Sequence, residues 1–309
     1  MNLMIKGTIL PDGKKVYIGN KSKRKCRFCG RTDAETTFRK IAHAFPECMG
    51  NHTLISHQEC DACNEFFGSK LEDSFAKRFQ TEHLFCRIKG KERIPAYKFP
   101  DKSMKFEQIQ ATINGVKEPA LLCNKYDGTG TDFFDGLSSN ASRTIQFPLH
   151  PYIPIAVYKC FVKMALSIIP EAEMDKFSDT ILWLMEESHS SFYSNGRKLW
   201  LAIQYFNPQP NPRITYALFQ NNDDKCLNPY LIFIVDWANI SCIAEVPTNK
   251  NSNRLDIRDY AKQNKLLENL RFENLSTTTV VGKSNEMTEE LTNGNTQSNE
   301  LERPEIPQD

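Results

Sequence analysis

The sequence predicts an α+β protein in three parts. A zinc-fastened strand-and-helix module spans residues 1–92, a mixed α+β domain spans 93–272, and a disordered acidic tail covers 273–309. Three observations predict this. Two Cys-x-x-Cys pairs, Cys26/Cys29 and Cys60/Cys63, sit in the first ninety residues. Helical and alternating apolar patterns then follow one another without repeating. From about Ser276 the chain turns polar, with seven acidic residues against two basic and few aliphatics, a composition that cannot bury a core.

Taken in order, "KGTILPDGKKVYIG" reads as a hairpin turning at Pro11-Asp12-Gly13. "NEFFGSKLEDSFAKRFQTEHLF", from Asn64 to about Phe85, reads as a helix with Phe67, Leu71, Phe75 and Phe79 on one face. Gly68 weakens it slightly. In the second part "DGTGTDFFDG" (127–136) is a loop of turn formers without the ligand spacing of a calcium loop. "PIAVYKCFVKMALSII" is an amphipathic helix opened by Pro154, with Ala156, Cys160, Met164 and Ile168 along one face. A second helix, "EAEMDKFSDTILWLMEE", precedes four strands, "KLWLAIQYF", "RITYALF", "YLIFIVDW" and "SCIAEV", and "LDIRDYAKQNKLLENL" closes the domain as a helix. "GKS" at 282–284 is not a phosphate loop, because the glycine needed five residues earlier is Thr277.

The net charge of +1 says nothing about partners, but its distribution does. Residues 1–40 carry eleven Lys and Arg against three Asp and Glu, a field that attracts phosphate backbones. Lys21, Lys23, Arg24, Lys25 and Arg27 are the candidate phosphate contacts. The start lacks the apolar core of a signal peptide, and no apolar run reaches the roughly 18 residues that span a bilayer. The expectation is a cytoplasmic protein with no membrane contact. In a reducing cytosol the paired cysteines are metal ligands rather than disulfides.

Four thiolates from two short loops suit a closed, tetrahedral structural zinc. Thirty residues separate the pairs, more than the roughly 15–20 of a simple ribbon, and they hold "AHAFPECMGNHTLISHQE". If the zinc fastens a strand pair to a helix start, His43 at a strand end and Asn64 at the helix start come toward one point. An imidazole there can take a proton from water, and a hard amide oxygen suits magnesium. His52, His83 and His150 read as exposed or structural, the six unpaired cysteines as buried thiols, and the three tryptophans as core.

The first Cys-x-x-Cys, then "AHAFPE", "GN" and "CDACNEFFGSKLE", resembles the HNH endonucleases, in particular those with two Cys-x-x-Cys zinc knuckles. The resemblance covers roughly residues 24–75 and implies a ββα-metal fold. It implies that His43 is the general base, that Asn64 binds the catalytic Mg2+ or Mn2+, and that Cys26, Cys29, Cys60 and Cys63 hold structural Zn2+. His57 is the first choice for the middle residue that orients the base, and Asn51 the second. Many of these enzymes carry an acid or a second histidine before the base, where this chain has Ala42. The ion is then held by fewer protein ligands, with help from His57 or Glu47.

The leading expectation is therefore a metal-dependent endonuclease acting on DNA. A zinc-stapled nucleic-acid-binding module without catalysis is the alternative, encouraged by Ala42. In a third reading residues 93–272 are a sensor, bound by a regulatory protein or small-molecule activator, with the nuclease as output. Such pairings resemble effectors of bacterial anti-phage or restriction systems, an analogy of architecture only.

Overall fold

The structure, a computed structural model, describes residues 1–113, 115–125, 127, 129–130, 146–206, 213–223, 225–266 and 269–282. The chain mixes strands and helices, as its patterning predicts, and divides into two compact units. One joins residues 1–95 to 151–281; the other holds 96–150. This differs from the sequence division at 92/93 and 272/273. Residues 151–281 fall in one unit with the N-terminal module.

In the first unit β1 (Asn2–Ile9) is followed by β2 (Val16–Ile18), β3 (Ala42–His43) and β4 (Leu54–Ser56). The expected hairpin does not form. The turn exists, with Gly13 N–H donating to Leu10 C=O, but β1 pairs with a distant strand and β2 runs parallel to β4. β2 is three residues long and largely exposed, so it offers β1 less than a seven-residue register elsewhere does. β3 pairs antiparallel with β4, His43 opposite Ile55.

Then come α1 (Asp61–Phe67), α2 (Asp73–Arg78) and α3 (Gln80–Phe85), with a π turn over Gly68–Glu72 between the first two. Phe67, Leu71, Phe75 and Phe79 are all fully buried. Their four-residue spacing drifts by about 40° a step around a 3.6-residue helix. The wider π turn takes up that drift and keeps one face aimed at the core.

The second unit is built on β5 (Tyr97–Lys98), β6 (Met104–Ile113) and β7 (Val116–Lys125). β6 and β7 form a long antiparallel hairpin, and Tyr97, Phe99, Phe106 and Phe147 cluster at its base. Most of the 127–136 loop lies outside the described residues.

Back in the first unit, α4 (Pro154–Ile168) and α5 (Ser178–Leu184) precede β8 (Trp200–Tyr205), β9 (Ile214–Gln220), β10 (Leu231–Trp237) and β11 (Ile240–Glu245). α6 (Ile257–Gln263) and β12 (Arg271–Asn274) close it. The described residues form a six-stranded antiparallel sheet in the order β1-β9-β10-β11-β8-β12. α4 is not amphipathic in place: every one of its residues is buried, because the sheet covers one side and α2 with the π turn the other. Phe161 of α4, Phe75 and Phe79 of the first helices and Trp237 of β10 meet in one aromatic cluster.

The expected tail begins too early in the sequence reading. Glu273 accepts three hydrogen bonds from Arg78 and one from Tyr152, Leu275 is buried, and Val281 bridges to Tyr152. An acidic residue there reads as solvated until its buried arginine is known. Residues 283–309 lie outside the described residues.

Candidate active site

The four cysteines converge. Their sulfurs all lie within 4.8 Å of one another, and Cys29 and Cys60 are 3.7 Å apart. Zinc–sulfur bonds of about 2.3 Å put tetrahedral sulfurs ~3.8 Å from each other, so the cluster fits zinc. The first knuckle is shaped by Gly30, whose φ of 73° lets its N–H reach the Cys26 carbonyl at 2.8 Å. In the second, Asn64 N–H donates to Cys60 C=O as α1 begins. Four thiolates at this range need a cation among them.

His43 closes β3. Pro46 then turns the chain into a short 3-10 helix, Glu47–Met49, ended by Gly50 at φ 89°. Asn51, fully buried, holds this loop shut. Its amide nitrogen donates to Phe45 and Leu54 carbonyls, and its oxygen accepts from the Thr53 and Leu54 N–H groups. Every polar atom of the side chain is thus spent on the loop that returns from His43 to β4. His57, the first choice for orienting the base, instead stacks flat on Tyr17 at 4.7 Å and 7°. Its pKa falls through desolvation and through the charges of Arg24 and Lys21.

The His43 imidazole is 15% exposed and stands 3.9 Å from Glu47. Burial lowers its pKa; Glu47 opposes this, while Lys163, His52 and Lys15 reinforce it. The shift favours the neutral imidazole, the form that accepts a proton. His52 lies close enough to act on it electrostatically, while its own Nε2 contacts the Lys89 carbonyl. Asn64 is half-buried on the first turns of α1, two residues from the exposed Ala62 and next to the zinc ligand Cys63.

Two contributors escape sequence reasoning. Asp61 accepts hydrogen bonds from the Thr37 hydroxyl and from Arg39 and Lys40 N–H, lashing the approach to β3 onto the start of α1. An acid in a first helical turn is a signal for a helix start, not for this tether. Lys163 of α4 donates to the His43 carbonyl from 120 residues away.

The basic segment divides. Lys21, Lys23 and Lys25 are exposed. Arg24 donates to Phe38 C=O and lies over that ring. Arg27 does not fit its expected role as a phosphate contact: its guanidinium donates to the Leu166, Ser167 and Ile169 carbonyls and to Gln58. The end of α4 presents unpaired carbonyls and a partial negative charge, and Arg27 answers both.

A family model described as HNH endonuclease matches residues 26–80, from the first zinc cysteine into the start of α3 and less than a fifth of the chain. Neither a curated protein nor a solved structure matches the chain. Among the described residues no helix is long and apolar enough to cross a membrane.

Proposed function

We propose, on the premise that residues 26–80 are an HNH endonuclease module, that the chain hydrolyses DNA phosphodiesters with His43 as the general base. The observation that carries this reading is the placement of His43: partly exposed at a strand end, 3.9 Å from Glu47, where burial lowers its pKa. Its imidazole takes a proton from water as the water oxygen attacks phosphorus, and the P–O bond opposite breaks. Asn51 positions this base by fixing the loop behind it. Lys21, Lys23 and Lys25 offer exposed charge to the phosphate backbone. The Asn64 amide oxygen is a hard donor that would suit magnesium or manganese, and such an ion would neutralise charge on the scissile phosphate. The four cysteines hold zinc outside the chemistry.

Plasmid DNA incubated with EDTA, magnesium or manganese, beside His43→Ala, tests this. Cleavage is expected only with the divalent ion, and His43→Ala should lower it by about 10²-fold or more while zinc stays bound. Cleavage should also fade as pH falls through a midpoint below the ordinary histidine value of about 6.5, since protonation removes the base. DNA binding without cleavage under every ion would replace the nuclease with a binding module, the reading that Ala42 favours.

A further inference from the structure

Lys163 lies in the middle of α4, 1% exposed, outside the segment that matches the HNH family. Its ammonium donates to the His43 carbonyl at 2.6 Å, pairs with Glu59 at 3.2 Å, and faces Glu72 at 3.8 Å. The ring of Phe67 lies 5.7 Å below it. These partners belong to three different parts of the site. His43 ends the strand that carries the base. Glu59 precedes the zinc ligand Cys60. Glu72 ends the π turn that continues the helix of Asn64.

A lysine in this place is costly to bury, and stability alone does not call for it. α4 buries a second lysine, Lys159, but that one donates to the Glu186 carbonyl and lies over Trp183, whereas Lys163 alone turns to the His43 carbonyl. Buried ion pairs can often be exchanged for apolar residues of like volume without loss. What an apolar residue cannot do is donate to a strand-end carbonyl while carrying a charge that two carboxylates face. The ammonium donates to the carbonyl and stands at ion-pair distance from both carboxylates, so one charge ties three elements.

We propose that Lys163 is a positioning residue for the nuclease centre, fixing the backbone of His43 against the zinc knuckle and the ion-binding helix. It rests on the reading of His43 as the base. Lys163 touches no substrate. It sets where the imidazole stands by holding the carbonyl of the same residue, so its effect belongs to the chemical step rather than to DNA binding. A displacement of about 1 Å at a reacting group is enough to lower a rate on the order of 10²-fold.

The test compares the full-length protein with Lys163→Met and with Met164→Ala, the next residue on the same helix, equally buried but without a charge or a hydrogen-bond donor. Lys163→Met is expected to lower kcat at least tenfold with KM for DNA within twofold and zinc content unchanged; Met164→Ala should lower thermal stability and leave kcat alone. Equal kcat for Lys163→Met and wild type, or equal losses in both variants, overturns the proposal. The second readout does not need cleavage. With 13C-labelled histidine, and the His43 carbonyl and ring signals assigned by their absence in His43→Ala, Lys163→Met should shift both while Met164→Ala moves neither. A wild type that cuts nothing under any ion would sink the nuclease reading, and the carbon signals would still decide the tether: unmoved signals overturn it. Should Lys163→Met fail to fold because Glu59 is left charged and buried, Lys163→Met/Glu59→Gln removes both charges and is read in the same way.

Discussion

At position 83 a histidine is sealed from water between Phe75 and Trp237, its Nε2 accepting the indole N–H at 3.1 Å. Burial takes its pKa down to about 3. In the unfolded chain the same group titrates near 6.5, so below that pH the unfolded state binds a proton that the fold refuses. The stability His83 contributes is complete above about pH 6.5 and is lost as pH falls toward about 3, at ~1.4 kcal/mol per pH unit. Denaturant melts at pH 7 and 4.5 should therefore differ by about 2–3 kcal/mol from this group alone. His83→Gln keeps an acceptor for Trp237 and does not titrate, so its two melts should lie closer together; an equal gap would place the acid sensitivity elsewhere. Sequence reading could call this histidine structural from its place on a helix, but not name its partner, which is 154 residues away. The same limit explains the site. The four cysteines were legible because each pair's spacing is local, whereas Asp61 and Lys163 look like an ordinary helix-start acid and an ordinary lysine until the fold supplies their partners.

The elements repeat that division between local and distant information. α1 to α3 could be read from four apolar residues at a fixed interval, although the π turn that makes the interval work leaves no separate mark in composition. β8 to β11 could be read because each is a short run of apolar, β-branched and aromatic residues bounded by turn formers. The N-terminal hairpin could not be rejected, since its turn is real and only the pairing of β1 with β9 decides otherwise. The zinc clip is the element that carries most risk. Segments 26–31 and 58–63 bury one large apolar side chain, Phe28, beside three of the cysteines themselves, and Cys29 is exposed. Metal binding is then much of what orders them. One zinc per chain is expected by elemental analysis, and Cys63→Ser should lose it and melt roughly 10 °C lower, as a few kcal/mol would do in a unit of this size. A variant that keeps both its melting temperature and its metal would remove zinc from the four-cysteine cluster.

On the scale of the whole molecule, the family match ends near residue 80 but the folding unit does not. β1 lies against β9, Phe45 of the His43 loop sits on Tyr216 and Phe233, and Phe75 and Phe79 meet Phe161 and Trp237. Arg27 caps α4, and Lys163 of that helix reaches back to His43. Cutting the chain after residue 95 uncovers three phenylalanines that are now fully buried, at roughly 1.5–3 kcal/mol each, and leaves Glu59 buried without its lysine. Together these losses match the 5–15 kcal/mol by which a domain is stable at all. Residues 1–95 expressed alone should therefore bind zinc at the knuckles yet fail to melt cooperatively, and should collect in the insoluble fraction. Supplied in the same cells as a second chain, residues 151–281 should restore solubility and co-purify, because the missing strand partner, aromatic ring set and ammonium all lie there. A soluble 1–95 fragment with a sharp melt and wild-type cleavage would show that the nuclease folds by itself, and that residues 151–281 only lean on it.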